Sequence, residues 1–191
     1  MTAGTKVPAV LVSTSPLQMP EELIVRRLRA DDSISAITRL LHQAYAPLAA
    51  MGFRYTATHQ NDEVTQLRVA RGQAWVAEAR EDIVGTITLY DRPSPSSNCG
   101  WYLTPGVWTV GQFAVHPSLQ RQGLGSRLIH KMEDIAASGG ATELALDTAE
   151  NAHHLVDWYQ KIGYRFIEYA DWSSTNYRSV ILSKALPSPQ P

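Results

Sequence analysis

Gln120, Gly123 and Gly125 are the residues whose types and spacing point most directly to chemistry. They close the stretch Gly111-Gln112-Phe113-Ala114-Val115-His116-Pro117-Ser118-Leu119-Gln120-Arg121-Gln122-Gly123-Leu124-Gly125-Ser126. An apolar run ends there at His116-Pro117, a polar turn follows, and a helical pattern opens at the glycines. The first amides of a helix have no intrahelical partner and point outward, and the peptide dipoles add partial positive charge at that end. Gly123 and Gly125 let an anion approach these amides, and Arg121, Arg127 and Lys131 bring further charge. The chemistry is that of a phosphate cradle. A P-loop would carry Lys and then Ser or Thr after its second glycine, whereas Ser126 and Arg127 follow Gly125. A dinucleotide fingerprint would need a third glycine where Leu128 stands. Tight packing of a helix start is the alternative reading of the two glycines.

The elements that must position this cradle follow from periodicity. Leu23–Leu28 reads as a strand. Asp31, Asp32 and Ser33 are candidate N-caps for a helix carrying Ile34, Ile37, Leu40, Leu41, Ala44 and Leu48, expected to fade near Pro47 and Gly52. A short helix is expected from Asp62 to Arg71, then a hairpin of Gln73–Glu78 and Asp82–Tyr90. Asp91–Gly106 reads as a long loop, Val107–His116 as a strand, and Leu124 to Ala136 as an amphipathic helix stopped at Gly139-Gly140. A strand at Glu143–Asp147, a helix over Ala152–Ile162, and strands at Tyr164–Ala170 and Tyr177–Ser183 complete the order. This alternation gives one α/β domain with a mixed sheet, spanning residues 23–186 between tails at 1–22 and 187–191.

With the Phe-Ala-Val strand end before it, the pattern of Gln120, Gly123 and Gly125 resembles motif A of the GNAT N-acetyltransferases. Trp158-Tyr159-Gln160-Lys161-Ile162-Gly163-Tyr164 is similar to the family's Tyr-x-x-x-Gly-Phe/Tyr segment. The resemblance implies a layered α/β GNAT fold, whose mixed, partly splayed central sheet is flanked by helices and admits the pantetheine arm between two parallel strands. Gly111 fits a bulge at that place or, equally, a close packing contact. The implied activity is direct transfer of acetyl from acetyl-CoA to a primary amine of a small molecule or peptide in a ternary complex. The implied cofactor contacts are Phe113, Ala114, Val115, Gln120, Arg121, Gln122, Gly123, Leu124, Gly125, Ser126 and Asn151. Among them, the Val115 amide would polarise the thioester carbonyl, and Asn151 would bond the pantetheine arm or cap its helix.

Two residues carry the implied catalysis. Tyr159 matches the acid that protonates the departing thiolate, its other reading being a core aromatic. Gln112 stands where many members carry Glu. An amide takes no proton from an ammonium, so Gln112 would orient water or substrate, leaving Glu63, Asp91 and His116 as bases through water. Tyr55, Trp101 and Tyr102, with His59 and Trp172, fall in segments that border the acceptor entrance in this fold. A coenzyme A-binding sensor module without catalysis is the rival reading, supported by Gln112.

Composition bounds the rest. The chain has 191 residues, 44% hydrophobic and 18% charged, enough for one core without disulfides or metal. A net charge of −1 offers no basic footprint, so no nucleic-acid partner is expected. The lone Cys99 excludes a cysteine metal cluster and lacks an adjacent base, and His153-His154 do not face one another on a helix, so no metal is expected. No apolar run reaches the roughly 18 residues of a membrane span, and no cationic–apolar leader opens the chain. A cytoplasmic monomer or homodimer is the expectation.

Overall fold

In the computed structural model, residues 22–92 and 99–187 are described. The expected tails at 1–22 and 187–191 lie almost wholly outside them, as does the middle of the loop expected over 91–106. Eleven principal elements follow one another: β1 (Leu23–Arg27), α1 (Ile34–Ala50), α2 (Asp62–Ala70), β2 (Gln73–Ala79), β3 (Asp82–Tyr90), β4 (Val107–Val115), α3 (Leu124–Ser138), β5 (Glu143–Ala149), α4 (His153–Lys161), β6 (Arg165–Asp171) and β7 (Arg178–Ala185). The strands form one seven-stranded sheet in the order β1-β2-β3-β4-β5-β7-β6. Among the described strands only β4 and β5 run parallel, the other neighbours being antiparallel.

The two faces are covered by helices whose apolar stripes set their orientation. Leu124, Leu128, Ile129 and Met132 of α3 are fully buried with Leu89, Leu144 and Leu182 of the sheet. Ile37, Leu40 and Leu41 of α1 pack with Val76 and Ala114. Each such side chain contributes about 1.5–3 kcal/mol by leaving water. Of the three candidate caps on α1, Ser33 takes the role, its hydroxyl accepting from the Ala36 amide at 3.2 Å. Asp32 instead pairs with the Arg26 guanidinium at 2.7 Å. α1 also continues through Pro47 to Ala50. A proline in the last turn removes one backbone bond, and burial of Leu48 beside Tyr55 holds the turn in place.

The β4–β5 ladder is short. It pairs Val107 with Glu143, Trp108 with Leu144 and Thr109 with Ala145, and then the strands part. On the other side of β4, Thr86 faces Ala114 and Thr88 faces Gly111, so Ile87 opposes both Gln112 and Phe113. This is a β-bulge one residue beyond the place expected at Gly111. Gln112 itself takes the left-handed backbone, at φ 50°. Gly111 has a different reason: a Cβ there would sit 3.1 Å from the Tyr90 ring. The glycine provides close approach, and its neighbour absorbs the kink.

Candidate active site

Where β4 and β5 separate, a cleft of ≈ 590 Å³ opens. Val110, Gly111 and Gln112 of β4 form one wall, and Asp147 and Thr148 of β5 form the other. Tyr45 of α1, Arg68 of α2 and Tyr159 of α4 also reach it, with Trp172 and Tyr177 between β6 and β7.

Gln112 is 3% exposed, and its side-chain nitrogen and oxygen have no hydrogen-bond partner among the described residues. A buried polar group left unpaired costs about 1–3 kcal/mol. The bulge that turns Gln112 into the cleft therefore presents one donor group and one acceptor to whatever enters. Tyr45 Oη donates to the Phe113 carbonyl at 3.1 Å and so fixes the bulge from α1.

Tyr159 lies on the buried face of α4, its ring 4.7 Å from that of Trp158 and 5.8 Å from that of Tyr164. Its hydroxyl makes no hydrogen bond among the described residues, and it lines the cleft. Burial pushes its pKa well above that of a free phenol, and the neighbouring Tyr45, Tyr55 and Asp147 add to the effect. The phenol therefore keeps its proton at any working pH.

Asp147 is the cleft's half-buried carboxylate, and the sequence reading gave it no role. Its Oδ2 accepts from Ser179 Oγ at 3.0 Å and from Trp172 Nε1 at 3.1 Å, while Oδ1 accepts from Tyr102 Oη at 3.2 Å. Each carboxylate oxygen takes about two donors, so Oδ1 retains a free acceptor position. Burial raises the Asp147 pKa against the opposing pull of its donors and of Arg68. Glu63, Asp91 and His116, named as bases from the sequence, do not line the cleft. His116 is engaged instead, its Nδ1 within 2.7 Å of Ser118 Oγ in the turn Pro117–Leu119.

The acceptor candidates separate. Tyr55 and Tyr102 line the cleft. The Tyr55 hydroxyl accepts from the Ala149 amide and bonds Thr148 Oγ1, both at 2.9 Å, so its ring serves as wall. Trp101 lies elsewhere. In the turn Trp101–Leu103, the Glu168 carboxylate takes the Trp101 amide at 2.9 Å and the Cys99 thiol at 3.1 Å. That clamp holds Trp101 against β6, under the Arg165 guanidinium, and sends Tyr102 inward. Burial pushes the Cys99 thiol up to about 11, far from a nucleophile's range.

The glycine turn joins the end of β4 to α3. Gln120 Nε2 donates to the Val115 carbonyl at 3.1 Å and Gln122 Nε2 to that of Ser118 at 2.8 Å, folding the turn onto itself. Arg121 and Gly123 adopt left-handed backbone, at φ 60° and 90°. Gly123 is the N-cap of α3, and a Cβ there would meet nothing within 4 Å. The space beside the helix start is open, as the cradle requires. Gly125 differs: a Cβ there would make ordinary contact with Trp158 at 3.7 Å and Phe113 at 3.8 Å, so the helix start packs against α4 and β4 at this point. Asn151 is exposed, and Ala152 holds the cap position of α4 without a side-chain bond. Among the described residues no cluster of three or more His, Cys, Asp or Glu side chains could hold a metal ion, and no helix is long and apolar enough to cross a membrane.

Residues 35–164 match the model of the acetyltransferase (GNAT) family. The S-(2-succino)cysteine N-acetyltransferase of Bacillus subtilis is 26% identical over 140 residues, covering 72% of this chain and 82% of that protein. A GNAT family acetyltransferase from Elizabethkingia anophelis with acetyl-CoA bound has a TM-score of 0.60 at 17% identity, covering 87% of this chain and 99% of that one. A Bacillus subtilis acetyltransferase in complex with CoA has a TM-score of 0.58 at 18% identity, covering 87% and 100%. With a forked mixed sheet, a glycine-capped helix beside the fork and a match across two thirds of its length, this chain belongs to the GNAT acetyltransferase family and is an acyltransferase.

Proposed function

We propose that the protein transfers acetyl directly from acetyl-CoA to the primary amine of a small molecule, with Asp147 receiving the amine and Tyr159 facing the leaving sulfur. Acetyl-CoA supplies the activated acetyl thioester; the rest is done by side chains of this chain. The residues present suit that co-substrate. The outward amides and open space at Gly123 fit its pyrophosphate. The parted β4 and β5 fit its arm, and Gln112 offers hydrogen bonds where the two meet.

Asp147 binds the incoming ammonium at Oδ1 and accepts the proton that the amine must lose before it can attack. Burial favours a neutral amine beside a neutral acid over the separated charges, which eases that transfer. Tyr159, protonated and hydrogen-bonded by no other described residue, protonates the sulfur as the C–S bond breaks and regains a proton from the acetylated nitrogen, which sheds its second N–H proton as the amide forms. Gln112 orients the two reactants and carries no proton. The observation that carries the reading is the Gln112 amide, buried and unpaired at the fork between a carboxylate and a phenol. The curated relative's named acceptor supports a small molecule. The sensor reading leaves Asp147 and Tyr159 in one cleft without a use.

The direct test is ligand stabilisation with acetyl-CoA and with NAD. At 100 times its dissociation constant a ligand adds about 2.7 kcal/mol, which for a chain of this size raises Tm by roughly 5–11 °C. Acetyl-CoA is expected to do so and NAD to do nothing. No shift at millimolar acetyl-CoA overturns the proposal. Gly123→Val checks the cradle. It strains a left-handed position by about 1–3 kcal/mol and fills the open space, so the folded variant is expected to bind coenzyme A at least about tenfold more weakly by titration calorimetry. Unchanged affinity would make the turn a packing device.

A further inference from the structure

The cleft holds opposite charges that are kept apart. Asp147 occupies one wall, its oxygens engaged by Tyr102, Trp172 and Ser179. Arg68 approaches from α2, and its Nη2 lies 3.9 Å from the point where a Gly111 Cβ would be, beside the bulge. Arg68 forms no ion pair among the described residues. Instead its Nη1 donates to Gln60 Oε1 at 2.8 Å. Gln60 is 3% exposed and is held in turn, Nε2 donating to Thr65 Oγ1 at 2.6 Å and its carbonyl meeting His42 Nε2 at 2.8 Å. Tyr90 Oη donates to the Arg68 carbonyl at 3.2 Å. The guanidinium is thus fixed by a buried polar network, with the Tyr90 hydroxyl also within its reach and only the rest of its N–H groups left for a ligand. Two further guanidinium groups, Arg71 and Arg92, line the same cleft, and Arg71 lies over the Tyr90 ring at 5.5 Å. Against these three cations stand two carboxylates, Asp147 and the exposed Asp171.

A prearranged cation and a prearranged anion in one cleft, prevented from neutralising each other, match a ligand carrying both charges. The geometry points to an acceptor that is an α-amino acid bearing at least one further carboxylate. Its ammonium faces Asp147, its α-carboxylate takes the free N–H groups of Arg68, and its distal carboxylate faces Arg71 and Arg92. The planar, permanently charged guanidinium binds a carboxylate in two-point fashion. An uncharged or dicationic amine would leave Arg68 desolvated and unpaired, and a site built around a polar group rejects the analogue that lacks it. This specificity rests on the transferase reading above, because it assigns the acceptor of that same reaction.

The test is steady-state acetyl transfer, read as free thiol, with glutamate, S-(2-succino)cysteine, alanine, alaninamide and a diaminoalkane. Acetyl-CoA binding is followed separately by melting. The two dicarboxylic or tricarboxylic amino acids are expected to give the highest kcat/KM. Alanine should follow, and alaninamide and the diamine should fall at least about 10²-fold below the best. In Arg68→Gln the KM for the preferred acceptor should rise about 30-fold, the loss of a charge-assisted hydrogen bond, with acetyl-CoA affinity unchanged. Arg71→Ala should lower kcat/KM for glutamate by more than it does for alanine, narrowing the preference for the second carboxylate. Equal turnover of the diamine, equal slowing of every acceptor by Arg68→Gln, or acetyl-CoA binding with no turnover of any carboxylated amine each overturns the assignment. Failure to bind acetyl-CoA would instead remove the transferase reading beneath it.

Discussion

Tyr159→Phe is expected to lower kcat by about 10²-fold or more, within the range of acid–base groups, and to leave the KM for acetyl-CoA within about threefold. The substitution keeps the ring and its contacts with Trp158 and Tyr164. It removes one hydroxyl that makes no hydrogen bond among the described residues, so packing survives and Tm should move little. The hydroxyl would act only as negative charge gathers on sulfur, and an interaction made late lowers kcat without touching ground-state binding. The acid form persists because burial keeps the phenol protonated, so the wild-type profile should show no loss of activity from this group up to pH 10. Near wild-type kcat in a folded Tyr159→Phe protein would make the residue a core aromatic.

Asp147→Asn should have the larger effect, a loss of about 10²–10⁴-fold in kcat/KM for the amine. An amide cannot accept the amine's proton. Its NH2 group also faces the donors of Ser179, Trp172 and Tyr102, which now converge on a carboxylate. The pH dependence fixes the assignment. Burial raises the Asp147 pKa above the usual aspartate value, which is about 3.9. The base form exists above that raised value, and activity falls as pH drops through it. Wild-type kcat/KM should therefore show an acidic limb displaced upward from an ordinary carboxylate. In Asp147→Asn this limb should vanish, leaving only the amine's own ionisation, so part of the lost activity returns as pH rises. A variant that keeps the wild-type limb would place the base elsewhere. Stability runs the opposite way. A group that binds its proton more tightly when folded stabilises the fold below its unfolded pKa and loses that contribution as pH rises through the folded one. At neutral pH the ionised Asp147 is thus a cost to folding, retained where a base is needed.

Much of this was legible in the chain itself, for identifiable reasons. The apolar stripes of α1 and α3 and the alternating strands are long and periodic, and each is bounded by a cap or glycine that states its ends. The turn from Gln120 to Gly125 reads clearly because its chemistry is local, fixed by backbone amides and missing side chains. Asp147 did not read, because a single carboxylate in Leu144-Ala145-Leu146-Asp147 looks like the polar end of a strand. Its role appears only when β7 brings Ser179 and the preceding turn brings Trp172, residues 32 and 25 positions away. Arg68 is equally silent, a basic residue in the last turn of a polar helix whose direction is set by Gln60. Trp101 and Tyr102 are chemically alike as neighbours, and the Glu168 clamp, 67 residues away, sorts one from the other. The signal overlooked was a carboxylate set inside β5, between Leu144-Ala145-Leu146 and Thr148-Ala149.

The short β4–β5 ladder has a mechanical consequence. Three residue pairs, Val107–Glu143 to Thr109–Ala145, are the ladder's whole connection between β1–β4 and β5–β7–β6. From Thr109 to the bulge at Phe113 is about four residues, a lever of roughly 13 Å at the usual strand rise. A rotation of about 5° at the joint would move the far end by roughly 1 Å, a displacement large enough to cost a reaction about 10²-fold. Trp108 sits at the fulcrum, its ring packed so closely on Gly139 that a Cβ there would lie 2.4 Å away. The tolerance of the reacting groups therefore depends in part on packing far from them, where Trp108 is wedged against Gly139 and α3 bridges both halves of the sheet.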